Sequence, residues 1–331
     1  MSQTSNLGLS VNIADRLNSK IIIMKSPIVV GLDPVLSAIP DIYKKPHLDA
    51  SNPFEGVART LLDFNRDIID VVHNIAPAVK PQIAFYEKYG TWGFWAFQET
   101  VEYARSKNMI VIEDGKRNDI GNTAMAYAEG HLGDVELLDG GKRASLDLDW
   151  LTVSPFLGRD SLDPFVETCE KCNKGIFILV KTSNPSSDDI QNRVTEKGIT
   201  IYADLANYVN EQAKRFVGGR FGYSSIGAVV GATFPYEAEE LRKAMPNSIF
   251  LVPGYGAQGG SANDVVPCFN DDALGAVVNN SRGIMNAWKD KHPPSQCSKE
   301  DFKKCVAESS ETMRSTIVST LKKHGKIFPE S

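Results

Sequence analysis

At 331 residues the chain is about twice the length of a usual single domain, although α/β barrels routinely run that long as one unit. With 42% hydrophobic and 23% charged residues it has ample apolar side chain to offset the entropy of ordering, which excludes a disordered protein. A formal charge of −5 excludes a global attraction for nucleic acid or anionic membrane.

Short apolar, β-branched runs alternate with amphipathic helical stretches. Ile28 to Leu32 (IVVGL) reads as the first strand, and Val57 to Val72 as a helix with Leu61, Phe64, Ile68 and Val72 on one face. Ala78 to Tyr86 reads as the second strand, Trp92 to Ser106 as a helix, Met109 to Asp114 as the third strand and Asn122 to Ala128 as a helix. Strands four to eight are expected at Leu151 to Pro155, Gly175 to Thr182, Ile226 to Gly231, Ser248 to Pro253 and Gly275 to Asn280. Helical patterns at Ala203 to Phe216 and Tyr236 to Ala244 separate the later ones, and Ser298 with Asp301 resembles a capping box opening a last helix of about 298–322.

Eight almost continuously apolar strands with intervening helices suggest a parallel sheet covered on both faces and closed into a (β/α)₈ TIM barrel. The competitor is an open doubly wound sheet, weakened because no GxGxxG follows the first strand. No repeat or linker divides the chain, so one domain is expected over 1–331, with the barrel core at about 28–290. Three segments exceed a minimal barrel connection: Val35 to Asn52, Gly130 to Arg143 and Asn184 to Lys197. Such loops are lids, interface decorations or plain insertions.

No apolar run approaches the roughly 18–20 residues that span a bilayer. The opening MSQTSNLGLSVNIADRLNSK lacks a charged region followed by an apolar one, so no secretory signal is expected and the cytoplasm is the expected compartment. Five cysteines argue against a disulfide scaffold, and Cys169 with Cys172 reads as two ordinary helix residues because no second ligand pair follows. His47, His73, His131, His292 and His324 are scattered and read as surface or packing residues, leaving no support for a Ser–His–Asp or Cys–His mechanism.

Functional groups of a barrel gather at the C-terminal ends of its strands. The first strand ends in Asp33, the second carries Lys80, and the third runs into Asp114-Gly-Lys116-Arg-Asn-Asp119. Asp114 and Lys116 are two apart on extended chain and share a face, which Lys80 on the neighbouring strand can reach. Alternating lysines and aspartates would hold one another in place, at roughly 4 kcal/mol per close pair at an effective dielectric near 20 before desolvation. A plain salt-bridge network inside the barrel mouth is the alternative. The glycines of VPGYGAQGG after strand seven and Ser281-Arg282-Gly283 after strand eight suit a phosphate cradle, with Arg282 as a permanent cationic fork. Two glycine turns beside a surface arginine would look the same.

DGKRNDIGNTA (Asp114 to Ala124) resembles the DxKxxDIxxT signature of the orotidine 5′-phosphate decarboxylase family. VKPQIAFYE, GLDP, SPFLG, VKTSNP, VPGYGAQGG and NNSRGI resemble its other blocks over about residues 28–284, most like the longer, second-type branch. The resemblance implies conversion of orotidine monophosphate (OMP) to UMP and CO₂, the last step of de novo pyrimidine synthesis, by a carboxy-lyase without cofactor or metal. It implies that Lys116 stabilises and protonates C6, that Asp114 faces the departing carboxylate, and that Lys80 and Asp119 complete the array. Asp119 and Thr123 would reach the other subunit's site across a homodimer. Asp33 and Lys80 would contact the ribose, with Gln82 and Ile120 among the substrate-binding positions. Thr182 or Ser183 would meet the pyrimidine edge, Pro253 would line the ring pocket, and Gln258, Arg282 and Gly283 would hold the phosphate. The chain departs from the pattern at Gln82, where some relatives carry asparagine, and at Ser281, where many carry glycine. A Mg²⁺-dependent keto-sugar phosphate decarboxylase or hexulose phosphate synthase is the enzymatic rival, disfavoured because Lys80 stands where those barrels place an acidic metal ligand. A silent nucleotide-phosphate binder is the rival of another class.

Overall fold

A computed structural model describes residues 11–256 and 258–330. Among the described residues there are ten strands: β1 (Ile28–Leu32), β2 (Ala78–Pro81), β3 (Ile110–Arg117), β4 (Asp134–Glu136), β5 (Lys142–Ala144), β6 (Trp150–Val153), β7 (Gly175–Lys181), β8 (Ser224–Val230), β9 (Ser248–Val252) and β10 (Ala276–Asn280). Eight of them close a barrel in the order β1-β10-β9-β8-β7-β6-β3-β2, and every pairing within it is parallel. The fold is a (β/α)₈ TIM barrel. β4 and β5 form a separate antiparallel hairpin that takes up most of the Gly130 to Arg143 segment and ends one residue beyond it, at Ala144.

Alternation along each strand sorts its side chains. Ile28, Val30 and Leu32 of β1 pack outward against the helices, whereas Val29 points into the barrel with Ala78, Ile110, Ile112, Phe177, Ile249, Leu251 and Val277. Trp150 and Phe177 stack at 4.5 Å inside that interior. The same parity sends Lys80, two residues past Ala78, and Asp114, two past Ile112, toward the barrel axis at the mouth.

The helices covering the barrel are α1 (Ile13–Met24), α2 (Pro53–Val72), α3 (Gly90–Ser106), α4 (Gly121–His131), α5 (Asp163–Cys172), α6 (Ile201–Ala213), α7 (Pro235–Ala244) and α8 (Lys299–Lys323). α1 has no counterpart in the sequence reading. Asn12 caps its first turn, and Ile13, Leu17 and Ile21 pack against the interior strand residues, plugging the N-terminal end. The segment read for a secretory signal includes residues 1–10, which lie outside the described residues. α8 starts where expected, with the Ser298 hydroxyl accepting from the Asp301 N–H.

The second strand is shorter than the apolar run Ala78 to Tyr86 predicts. It ends at Pro81, Gln82 makes a single bridge to Asp114, and Ala84–Glu87 turns into a helix. The side-chain oxygen of Gln82 accepts from the Ala84 N–H and fixes that turn. Tyr86 is buried and accepts from Asn65, so its apolar ring serves a helix rather than a strand. The Val35 to Asn52 segment folds back as short helical turns, with Tyr43 wedged between the rings of Phe64 on α2 and Phe302 on α8. Cys169 and Cys172 are free thiols on α5, and among the described residues no helix is long and apolar enough to cross a membrane.

Candidate active site

A cavity of about 930 Å³ opens at the C-terminal mouth of the barrel, lined from every side by residues that follow the strands. Asp114 is among the residues lining it. Its Oδ2 accepts from Lys80 Nζ at 2.8 Å, and its Oδ1 from Lys116 Nζ at 2.5 Å and from the Thr152 hydroxyl at 3.2 Å. Burial pushes the Asp114 carboxyl up, but the two ammonium groups outweigh it and hold the carboxyl far below the usual carboxylate range. Burial would likewise lower the Lys80 ammonium, and the charges of Asp114 and Asp33 more than offset it, so its pKa is raised. The Lys80 side chain is 4% exposed, whereas that of Lys116 is 47% exposed to the cavity. One cation is therefore locked and the other is presented to a ligand.

The backbone bends to achieve this. β3 carries an irregularity between Glu113 and Arg117, and Lys116 takes φ +45°, a left-handed conformation that costs of order 1–3 kcal/mol for a side-chain-bearing residue. The Lys116 N–H is held by the Thr152 hydroxyl at 2.9 Å. Thr152 thus supports both Asp114 and Lys116, and the sequence reading passes over it. Its only signal is a hydroxyl inside the otherwise apolar WLTV run.

Asp33 lies on the same wall, with its Oδ1 buried and without a hydrogen-bond partner. A buried carboxylate oxygen left unmatched is costly and is suited to receive a ligand hydroxyl. Gly31 is required beside it, since a Cβ there would come within 1.8 Å of the Ser281 hydroxyl.

Across the mouth, Thr182 and Ser183 follow β7. Thr182 is saturated: its N–H and hydroxyl are clamped by the Gln191 amide at 3.0 and 2.8 Å, and its hydroxyl donates to Asn184 at 2.7 Å. The Ser183 hydroxyl instead donates to Gln258 Oε1 at 2.7 Å, joining this loop to the one that follows β9. Pro253 lines the cavity, as do Gln258 and Arg282. Gly283 lies just behind Arg282 and outside the lining; its N–H donates to Asn280 Oδ1 at 3.0 Å. A Cβ at Gly283 would come within 2.6 Å of the Asn280 amide, so a side chain there would displace the group that holds this turn.

Gln82, Asp119, Ile120 and Thr123 do not line this cavity. Asp119 turns back to accept its neighbour's N–H at 2.8 Å, Ile120 is 53% exposed, and Thr123 is exposed at the start of α4. One element of β3 faces elsewhere: Glu113 is buried against His131 of α4, with Oε2 2.6 Å from Nδ1. The histidine acts as a packing partner that ties α4 to β3. Among the described residues no three His, Cys, Asp or Glu side chains gather at metal-binding spacing.

Residues 26–292 match the family model described as the orotidine 5′-phosphate decarboxylase / HUMPS family. The chain is similar to the orotidine 5′-phosphate decarboxylase of Rhodopirellula baltica, 48% identical over 83% of this chain and 89% of that one. It is 40% identical to the enzyme of the same name from Caldicellulosiruptor bescii, over 84% and 91% of the two chains. Among solved structures it resembles the OMP decarboxylase of Leishmania donovani, with a TM-score of 0.68 at 26% identity over 94% of this chain and 99% of that one.

Proposed function

The chain belongs to the orotidine 5′-phosphate decarboxylase / HUMPS family, and from that premise we propose that it is a carboxy-lyase converting OMP to UMP and CO₂ by a charged array, without metal or organic cofactor. The observation that carries the reading is the Lys80–Asp114–Lys116 array at the mouth, in which both oxygens of the carboxylate are engaged by ammonium groups.

Cleavage of the bond from C6 to the carboxylate leaves its electron pair in the ring plane, where no π-system delocalises it. Only fixed charge can stabilise it. Lys116, held in place yet exposed to the cavity, is the cation for C6: its ammonium faces the developing carbanion and gives it a proton as CO₂ departs. Asp114 positions Lys116 and repels the substrate carboxylate, an interaction relieved in the transition state. Asp33 and Lys80 receive the ribose hydroxyls, Pro253 borders the ring, and Gln258 and Arg282 take the phosphate, with Gly283 turning the chain behind Arg282. Ser183 is favoured over Thr182 for the pyrimidine edge because its hydroxyl makes one hydrogen bond, donated to Gln258, and can still accept, whereas the N–H and hydroxyl of Thr182 carry three.

Asp119 and Thr123 act in the neighbouring subunit's site of a homodimer. Their position outside their own cavity supports this, as does the exposed Ile120 beside them. The whole chain is read as one barrel domain acting in the cytoplasm, in pyrimidine synthesis. A Mg²⁺-enediolate reaction is disfavoured by Lys80: an ammonium 2.8 Å from the central carboxylate occupies the place of a hard cation. Product analysis tests the proposal. Incubation with OMP should yield UMP and CO₂ in equal amounts; unchanged OMP would refute it.

A further inference from the structure

The loop after β7 is fastened by a charge that the chemistry above does not use. In β7 Leu179 pairs with Val229 while Lys181 pairs with Val230, so one extra residue intervenes. Simple alternation would aim Lys181 into the mouth beside Leu179; the bulge turns it to the outer face, where Val230 packs. There its side chain is fully buried. Nζ donates to Asp188 Oδ1 at 2.6 Å and Asn192 Oδ1 at 2.8 Å, and lies 4.1 Å from the centroid of the Phe234 ring. An ammonium is buried only when its charge and its donors are matched, and here the hydrogen-bond acceptors come from one loop and the rings are those of Phe234 and, at 5.7 Å, Tyr202 of α6.

Asp188 and Asn192 belong to the polar run 184–192, part of the Asn184 to Lys197 segment that the sequence leaves as a lid or an insertion. The same run supplies Gln191, which clamps Thr182. Ser183 sits between the two fastenings. Its carbonyl accepts from Thr233 at 3.3 Å, and its backbone packs where a Cβ at Gly231 would come within 2.8 Å.

We propose that Lys181 is a positioning residue for Ser183: its buried ammonium locks the 184–192 loop against the barrel, so that Gln191 consumes the hydrogen bonds of Thr182 and leaves Ser183, whose hydroxyl donates to Gln258 and can still accept, to meet the pyrimidine edge. The inference rests on the decarboxylase reading of the site. It makes the 184–192 loop a fixed wall that sets how the substrate's base is read, rather than a decoration.

A double-mutant cycle on kcat/KM for OMP tests it. Lys181→Met keeps the side-chain stem, and Asp188, whose side chain is 53% exposed, can turn to water without stranding a buried charge. Lys181→Met and Ser183→Ala should each lower kcat/KM about tenfold or more, and the double variant should fall within about threefold of Ser183→Ala alone, because both act through one contact. A double variant that loses the product of the two single effects, or a Lys181→Met protein with unchanged kcat/KM, overturns the proposal. If Lys181→Met does not fold, Gln191→Ala in the same cycle decides by the same criterion. A wild-type protein that leaves OMP untouched sinks the decarboxylase reading; a multiplicative cycle in an active protein sinks the positioning role alone.

Discussion

The two ends of the barrel hold buried charges of the same kinds and treat them oppositely. At the N-terminal end Arg242 is buried over the Phe250 ring, and its guanidinium is spent on the carbonyls of Cys268, Gly275, Met245 and Ser248. Asp15 accepts the N–H groups of Arg220 and Phe221, and Asp149 takes Arg16 and the Val111 N–H. At the mouth, Asp33 keeps a buried oxygen unmatched and Lys116 holds its charge toward open space. The charged groups at the first end are engaged mainly by the chain itself, with only Arg242 Nε left over among the groups named; those at the second face an open cavity with charge and acceptor capacity in hand. Burial and charge alone therefore do not mark a site. Unspent capacity that opens on a cavity does: the unpartnered amide of Asn18 in α1 is buried as deeply, but lines no such space.

The sharpest way to break this contrast is at Lys116. Lys116→Ala should lower kcat by about 10⁴-fold or more, since it removes both a charge facing the carbanion and the proton donor, while leaving the melting temperature within a few degrees. Retention of a substantial rate would remove Lys116 from the chemistry. At the other end the effects should reverse. Leu17→Ala, in the plug, should cost about 2–5 kcal/mol of stability in denaturant unfolding with kcat unchanged; a loss of kcat without a loss of stability would show that the two ends are not independent. Arg282→Ala should raise KM about 10- to 100-fold through loss of a charged contact to phosphate; unchanged KM and kcat would take Arg282 out of the site.

The smallest effect lies in pH. Because Asp114 is held below the usual carboxylate range, its contribution to stability is complete above about pH 4 and is lost as the pH falls toward its folded value. Asp114→Asn should therefore be less stable than the wild type by about 1–3 kcal/mol across pH 5–8, with the gap closing below about pH 4. A gap that closes between pH 5 and 8 instead would contradict the two-ammonium environment.

The barrel was legible because strands covered on both faces must be apolar almost throughout, and the array was legible because charged residues at the ends of such strands have few bland explanations. The remainder depended on directions that spacing does not encode. Lys181 would face the mouth by alternation, and a one-residue bulge sends it the other way. Thr152 matters through the backbone of Lys116, whose left-handed φ leaves no trace in composition. The Ala78 to Tyr86 run looks like one strand because Tyr86 is apolar enough for a core, yet that core belongs to a helix. α1 carried a signal in Ile13, Leu17 and Ile21 at four-residue spacing, next to an opening read only for targeting.

In the proposed reaction fixed charge alone stabilises the carbanion. The most direct test follows the ultraviolet absorbance of OMP with EDTA-treated protein, before and after Mg²⁺ is restored. Rapid decay in EDTA and no gain from magnesium are expected. Decay that appears only with Mg²⁺ would contradict stabilisation by fixed charge alone, and no decay in either condition would leave the array needing another substrate.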